Sequence, residues 1–294
     1  MRTSIEKTKR NAFTLYEIMV AAGCATVAGV MLFGVLNVST ILYAKTTSIN
    51  LAHDEARLAV NRLVNDIHKA VSTPQLWDAS ATTTNGLVNV TSTAAKGSCV
   101  SFQLVPPNGG PYEVKNDPGN ANMIQIQTMV NGFEPTPGMR LIIPMYDIEN
   151  NITKVTSQGP HRNVWMANEE EKIPKSKDGT KIITYFTTRV FYAVEDGNLK
   201  TYASGMNGNG ILVPAIVNGK LVIRNSDNTA ATGTVIARYV TSPQPFGAPN
   251  FPDRRYVGAN ITTEESRYSN RGYKATNTLV AGAIPIRARL CDSL

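Results

Sequence analysis

The chain has 294 residues, of which 42% are hydrophobic and 17% charged, a composition that excludes a wholly disordered polypeptide and allows one large domain or two small ones. The formal net charge is +7, but +3 of it falls within residues 1–12, which leaves +4 for the other 282 residues. This mild surplus does not predict nucleic acid as a partner.

A long uncharged segment follows the basic N-terminus. Residues 18–36 carry no charge, and the apolar character continues to Lys45. About 20 apolar residues, at 1.5 Å rise each, cross the ~30 Å hydrocarbon layer of a membrane, so the sequence predicts one spanning helix. The excess of Lys and Arg before it predicts a cytoplasmic N-terminus, a single pass through the membrane and an exported remainder.

The start of this segment reads KRNAFTLYEIMVAA over residues 9–22. In a secretory signal peptide the small-residue cleavage site follows the apolar core, whereas here Ala12 precedes it. Cleavage after Ala12 would leave the helix on the mature chain, with a new amino group at Phe13. This arrangement resembles the type IV prepilin family, whose pattern is a basic leader, a small residue, then Phe, Thr, Leu, an aliphatic residue and Glu. Ala12 stands where Gly is usual, and Tyr16 replaces the aliphatic residue.

The resemblance implies a role for Glu17, a carboxylate that would cost several kcal/mol if it were isolated in hydrocarbon. In that family a prepilin peptidase cuts at the position of Ala12–Phe13 and methylates the new amino group. The glutamate then pairs with that amino group during filament assembly. The implied partners are the prepilin peptidase, other pilin or pseudopilin subunits, and an inner-membrane assembly platform.

Beyond Lys45 the pattern becomes amphipathic. Apolar residues recur at three- and four-residue steps from Leu51 to Val71, which predicts a helix with one apolar face. Thr73-Pro74 is expected to end it, because proline disfavours helical geometry before it. We expect one helix over residues 13–72. The predicted divisions are a leader (1–12), a membrane helix (13–44), an amphipathic stem (45–73) and an exported β-rich head (74–294).

The rest of the chain predicts strands and loops. Short runs rich in β-branched and aromatic residues are bounded by Gly, Pro, Asn or Asp, and two of them flank Asp196-Gly197, a strong hairpin signal. The expected fold class is α+β, a long N-terminal helix packed on an antiparallel sheet, which is also the pilin-like architecture that the resemblance implies. The stem and the segment VFYAVEDGNLKTY further resemble J-type minor pseudopilins of type II secretion. Four segments are expected to be loops, namely 117–123, 135–139, 161–179 and 242–256.

Cysteine and histidine usage points to no metal or cofactor. Cys24 reads as a small apolar residue of the spanning helix. Cys99 and Cys291 lie in the exported part, where they form either a disulfide or two free thiols. The three histidines lack ligand-like spacing, and the oxygen-rich segments 147–151 and 225–229 read as solvated turns or, less well, as calcium loops.

No nucleophile elbow, phosphate loop or zinc helix appears, so no enzymatic activity is expected. Two alternatives to a filament subunit stay open. One is a signal-anchored membrane protein that displays a β-rich binding domain, and the other is a hydrolase without a recognisable motif.

Overall fold

A computed structural model describes residues 14–72, 74–81, 86–88, 95–115, 122–126, 133–146, 148–167, 181–247, 256–265 and 273–282. In these residues one long α-helix precedes sixteen β-strands, all of whose strand-to-strand pairings are antiparallel. The expected α+β class is confirmed, since a long apolar N-terminal helix is followed by an antiparallel, sheet-rich head.

Helix α1 runs from Leu15 to His68 and has 54 residues without a break. The prediction placed its end at Ser72, four residues too far along the chain. The helix ends early because the chain then pairs with a strand: Ala70 bridges Leu104, and Val71 donates its N–H to the Gln103 carbonyl oxygen at 2.8 Å. The sheet therefore ends the helix before Pro74 is reached.

The strands range from two to 13 residues in length. Their bounds are β1 Gln75–Trp77, β2 Lys96–Gly97, β3 Cys99–Leu104, β4 Tyr112–Glu113, β5 Met123–Ile126, β6 Arg140–Ile143, β7 Ile148–Gln158, β8 His161–Met166, β9 Ile183–Glu195, β10 Asn198–Ala203, β11 Leu212–Val217, β12 Lys220–Asn225, β13 Thr234–Ala237, β14 Phe246–Gly247, β15 Tyr256–Glu265 and β16 Tyr273–Gly282. A single 3-10 turn, Pro144–Tyr146, separates β6 from β7.

The largest sheet has ten strands. Its main path is β1-β3-β9-β6-β7-β8-β5, while β10 pairs with β9 and β13, and β4 also pairs with β9. The central strand β9 has 13 residues and contacts strands on both edges, so it organises the head. A second sheet has the order β16-β15-β14-β2, and β11 with β12 forms a separate hairpin.

Two hairpins turn at residues suited to positive φ. Asp196 and Gly197 have φ of 48° and 73° and connect β9 to β10, as predicted. Asn218 and Gly219 have φ of 51° and 73° and connect β11 to β12 in the same way. Both pairs match the two-residue turn that follows the twist of the strands.

Three apolar clusters fill the head. The first lies between α1 and the sheets and includes Leu63, Ile67, Phe102 and Tyr192. The second fills the distal part built by β4 to β8 and the start of β9, around Phe186. The third lies under the β11–β12 hairpin.

Two of the expected loops contain strands. Residues 161–166 form β8, and residues 246–247 form β14. The prediction failed for β8 because its sequence, HRNVWM, begins with three polar residues and shows no alternation, and because one of its two partner strands, β5, lies far earlier in the chain.

Candidate functional site: the N-terminal helix and its junction with the head

The first turn of α1 is closed by Thr14 and Glu17. The Glu17 Oε2 accepts hydrogen bonds from the Thr14 backbone N–H at 2.9 Å and from the Thr14 hydroxyl at 3.1 Å. The Thr14 Oγ1 in turn accepts the Glu17 backbone N–H at 3.3 Å. This reciprocal capping box satisfies two of the free N–H groups at the start of the helix.

The sequence reading assigned a role to Glu17 and missed Thr14 as its partner. The signal was present in T-L-Y-E, residues 14–17, because Ser or Thr followed three residues later by Glu is the sequence form of a capping box. The predicted cleavage residues Ala12 and Phe13 lie outside the described part of the chain. Cleavage, methylation and the pairing of Glu17 with the amino group of Phe13 therefore stay predictions.

The first half of α1 is exposed and apolar. Every residue from 14 to 43 is exposed, including Leu15 at 78% and Phe33 at 73%. The helix has a mean hydropathy of 2.2 over its most apolar 18 residues, none of which is buried. By length and composition this half could span a membrane, because 30 helical residues extend for about 45 Å.

Two hydroxyl groups within this half are satisfied inside the helix. Thr26 donates its hydroxyl hydrogen to the Ala22 carbonyl oxygen at 2.8 Å, and Thr40 donates in the same way to Leu36 at 2.8 Å. Such back-bonding hides a hydroxyl where water is absent. A Cβ added at Gly23, Gly29 or Gly34 would meet nothing within 4 Å, so these glycines leave room for a closely packed neighbouring helix.

The second half of α1 packs on the head through small residues. Ala52, Ala56 and Ala59 are 0 to 2% exposed and let the backbone approach the sheets closely, while Leu63 and Ile67 fill the core further along. The opposite face is polar apart from Leu58, which is 62% exposed. The second half of α1 is therefore a helix with one buried face.

In the described part of the chain, three side-chain hydrogen bonds fasten this half to the head. The Thr263 hydroxyl donates to the Ala52 carbonyl oxygen at 2.6 Å, and the Arg238 backbone N–H donates to the Glu55 carboxylate at 3.0 Å. Near the end of the helix, the Tyr192 hydroxyl donates to the Asp66 carboxylate. The attachments span 14 residues, or about 21 Å of helix, so the stem and the head are joined along most of their contact.

Tyr192 is the largest fully buried side chain in the described structure and stacks on Phe102 with ring centroids 5.8 Å apart. Burial raises the pKa of its hydroxyl, and the neighbouring Asp66 carboxylate raises it further. The raised pKa keeps the Tyr192 phenol neutral, and only the neutral phenol can donate to Asp66. The pKa shift is therefore consistent with a structural hydrogen bond between the two side chains.

The structure describes one of the two cysteines that were expected to pair. Cys99 is buried in β3 with 0% exposure, and burial raises the pKa of its thiol well above the usual value. Cys291 lies outside the described residues, so the disulfide stays a prediction. Cys24 is exposed on the apolar half of α1.

Of the two oxygen-rich segments, 225–229 contains a turn, whereas the expectation of a turn at 147–151 is wrong for residues 148–151, which begin strand β7 and pair with β6. The Asp227 Oδ1 accepts from the backbone N–H and the hydroxyl of Thr229, at 2.9 and 2.6 Å. Glu149 accepts from Arg140 at 2.5 Å, and Asp147 lies outside the described residues. Among the residues that the structure describes, no three His, Cys, Asp or Glu side chains are grouped to hold a metal ion.

A cleft of about 990 Å³ lies where the turns of two hairpins meet the segment 240–244. Its carboxylates, Asp78, Glu195 and Asp196, already have partners. Glu195 accepts from the Tyr202 hydroxyl and from Lys200 Nζ, and Asp196 lies 3.3 Å from Lys220 Nζ.

Asp78 lies in the lining of this cleft and accepts hydrogen bonds from neighbouring segments. Burial raises the pKa of its carboxyl, but hydrogen bonds from Ser80, Ser98 and Gln244 outweigh burial and hold it below the usual value. Among the residues that the structure describes, no His or Cys lines the cleft. Its lining therefore offers neither a thiol nucleophile nor an imidazole base for catalysis.

Comparison of the chain with protein-family models, curated proteins and solved structures gives no match.

Proposed function

We propose that this chain is a structural subunit of a filament, a minor pilin or pseudopilin of a type IV pilus or of a type II secretion pseudopilus. The observation that carries the proposal is the continuous helix α1, whose exposed apolar half leads without a break into a half that is fixed to the head. A filament subunit needs this combination, because the apolar half must leave the membrane and pack with other helices while the head is carried along.

The first turn of the helix supports the same proposal. Glu17 follows Phe13 by four residues, so cleavage after Ala12 would place a free amino group beside the capping box. An amino group on a neighbouring subunit could then replace Thr14 as the partner of the carboxylate, and the exchange would neutralise the charge. The length of the head favours a minor rather than a major subunit by the family resemblance, and the J-type assignment belongs to this proposal as well.

In this proposal the prepilin peptidase cleaves the chain at Ala12–Phe13, the inner membrane holds it by one pass, and the assembly platform adds it to the filament. The head is exported and has no enzymatic role. Four attachments between stem and head would transmit the extrusion force, namely the three hydrogen bonds to Ala52, Glu55 and Asp66 and the apolar core around Leu63.

The experiment that tests the proposal identifies the first residue of the mature chain. It uses intact mass and N-terminal peptide sequencing of the protein purified from its own membranes. An N-methylated Phe13 is the expected result. A chain that keeps residues 1–12 overturns the proposal.

One observation favours a second candidate, a signal-anchored protein that displays its head without forming a filament. The Glu17 carboxylate already has two hydrogen bonds from Thr14, so it has a structural role that needs no second subunit. This candidate predicts that the purified protein keeps residues 1–12.

A further inference from the structure

One arginine of the central strand has no carboxylate partner among the described residues. The Arg189 guanidinium, on β9, lies with its Cζ 5.4 Å from the centroid of the Trp77 ring and 5.1 Å from that of Phe191. Its Nη2 donates to Gln75 Oε1 and, at 3.3 Å, to Ser101 Oγ, which are both neutral acceptors. The two rings and the two acceptors hold the guanidinium in one orientation and leave its charge unpaired.

A second arginine lies on the same side of the sheet. Arg140 of β6 is directly opposite Thr187 of β9, and Thr187 is two residues before Arg189, so the three side chains share one face. Diagonal neighbours of this kind have Cα atoms about 7–8 Å apart. The opposite face of β9 packs toward α1 through Val190 and Tyr192. We call the first surface the Arg189 face, and its side chains are Gln75, Trp77, Ser101, Gln103, Arg140, Glu149, Thr187 and Arg189.

The carboxylate of the Arg189 face is already used by other donors. Glu149 Oε1 accepts from Arg140 Nη1 and from Gln103 Nε2, each at 2.5 Å. Burial, and then the charge of Arg140, lower the pKa of Arg189, while Cys99 and Glu149 raise it less. This is the direction expected of a half-buried cation that has no carboxylate of its own.

Three guanidinium nitrogens of the Arg189 face remain available to a ligand. Arg189 Nε, Arg189 Nη1 and Arg140 Nη2 donate no hydrogen bond among the described residues. None of the three is among the buried atoms that lack a partner, so each is open to solvent. The Arg140 and Glu149 side chains are 30 and 32% exposed, which places this part of the face at the protein surface.

The charge of the Arg189 face selects the class of ligand. Two guanidiniums and one carboxylate leave a surplus of one positive charge, which a single carboxylate neutralises. A phosphate dianion would bring a second negative charge to the Glu149 carboxylate. A free small anion would stay largely in water on an open sheet, whereas small-molecule sites bury most of their ligand. The carboxylate is therefore expected on a larger partner that brings further contacts.

We infer that the Arg189 face docks a partner protein through one of its acidic side chains, Asp or Glu. A guanidinium donates to a carboxylate through charge-assisted hydrogen bonds, which are about twice as strong as neutral ones. Arginine is also enriched in protein interfaces, and a guanidinium that is already stacked loses little freedom on binding. The inference concerns the head alone, so it holds for a filament subunit and for an anchored display protein alike.

The test uses the full chain in nanodiscs of phosphatidylcholine, whose lipids carry no net charge that would compete for the site. The probe is the peptide acetyl-(Gly-Glu)5-amide with a neutral fluorophore, and the same peptide with Gln in place of Glu is its uncharged control. Fluorescence anisotropy at about 50 mM salt, where screening is limited, measures binding. The chain contains two tryptophans, and in a Trp165→Phe background the emission of Trp77, which stacks on Arg189, reports whether the peptide lies there.

The expected result is binding of the Glu peptide with a change in Trp77 emission, and binding of the Gln peptide at least about tenfold weaker. Arg189→Gln should weaken binding of the Glu peptide at least about tenfold as well. Glu149→Gln removes the carboxylate that repels the ligand and should strengthen binding about threefold, an effect that a failure to fold does not produce. Arg238→Gln removes an exposed arginine elsewhere in the head and should bind as the parent does.

Several results overturn the inference. They are no binding of the Glu peptide at millimolar concentration, equal binding of the two peptides, and equal losses in Arg189→Gln and Arg238→Gln, which would show a general attraction of the charged peptide. Displacement of the peptide by less inorganic phosphate than acetate would assign the face to a phosphate ligand. Self-association of the chain without peptide, lost in Arg189→Gln and measured by sedimentation, would assign it to a second copy of the chain.

Discussion

Tyr192, near the end of β9, donates its phenolic hydrogen to Asp66, in the last turn of α1. The two residues are 126 positions apart in the chain, and their contact fixes the end of the stem against the central strand of the largest sheet. Any load on the stem therefore reaches β9 directly.

Replacement of Tyr192 by Phe removes this hydrogen bond while it keeps the ring that stacks on Phe102. A hydrogen bond to a charged group contributes about 1.5–3 kcal/mol, so we expect the free energy of unfolding to fall by that amount. Thermal unfolding of the full chain, followed by near-ultraviolet circular dichroism, measures it. Tyr185→Phe is the matched control, because Tyr185 lies on the same strand and its hydroxyl has no hydrogen bond in the described structure. Equal effects of the two substitutions would contradict the assigned role.

The stability of the head should fall at alkaline pH. Burial raises the pKa of Tyr202, as it does that of Tyr192, and the Glu195 carboxylate that accepts from the Tyr202 hydroxyl raises it further. Both groups keep their protons in the folded state at a pH where the unfolded chain has lost them. Their contribution is complete below about pH 10 and is lost as the pH rises above that value, by up to ~1.4 kcal/mol per pH unit for each group.

The urea midpoint measured from about pH 8 to pH 11 checks this slope. Tyr192→Phe and Tyr202→Phe should each remove the contribution of one tyrosine to the slope of stability against pH. The double variant should remove both contributions. A decline of unchanged slope in the double variant would show that other groups cause it.

The free energy of unfolding should depend on the buried side chains of the stem and not on its exposed leucine. Leu63 is 0% exposed, and its replacement by Ala should cost about 2–5 kcal/mol, the usual range for a cavity in a core. Leu58 is 62% exposed on the same helix, and Leu58→Ala should change the free energy of unfolding by less than ~0.5 kcal/mol. Chemical denaturation of the two variants gives the comparison, and comparable losses would mean that the helix does not pack as described.

Gly233 should tolerate no side chain. A Cβ at this position would lie 2.4 Å from the Tyr202 ring, so Gly233→Ala should displace the ring and destabilise the head by about 1–3 kcal/mol. Gly210 is the control, because the nearest atom to an added Cβ there is 3.9 Å away. The readout is again the unfolding midpoint, and a Gly233→Ala protein as stable as Gly210→Ala would be the contrary result.

Glu17 has a capping role in the structure and a charge-pairing role in the proposed function. The substitution Glu17→Gln distinguishes these two roles. Glu17→Gln keeps an oxygen that can accept from Thr14, so a purely structural role predicts normal behaviour. A charge-pairing role predicts cleavage after Ala12 and insertion in the membrane, but incorporation in the filament reduced at least about tenfold.

The measurement is the fraction of the processed chain in sheared filaments, with Thr14→Ala as the variant that removes the cap and keeps the charge. Full incorporation of Glu17→Gln together with failure of Thr14→Ala would assign Glu17 to the capping box alone.

The sequence predicted the parts of the fold that depend on local order. The helix follows from the uncharged segment and from the three- and four-residue steps after Lys45, and the hairpin at Asp196-Gly197 follows from the two residues of its turn. The Asn218-Gly219 turn carried the same local signal between two predicted strands, although the hairpin itself was not predicted.

Other features were missed or misplaced. Strand β8 was expected to be a loop, and the end of α1 was placed at Ser72, because strand β5, which pairs with β8, and strand β3, which pairs with the chain after α1, lie far away in the chain. Thr14 was missed as the partner of Glu17 even though the spacing of the two residues is that of a capping box.

By itself the sequence determined a long helix with one fully apolar half and a β-rich remainder, since hydrophobic periodicity and turn residues act within a few positions. Only the tertiary structure decided the order of the strands, the contact of Tyr192 with Asp66 and the grouping of Arg189 with Trp77 and Ser101. Such contacts join residues tens to more than a hundred positions apart, and they form only when the loop-closure entropy is outweighed by the burial of the whole core.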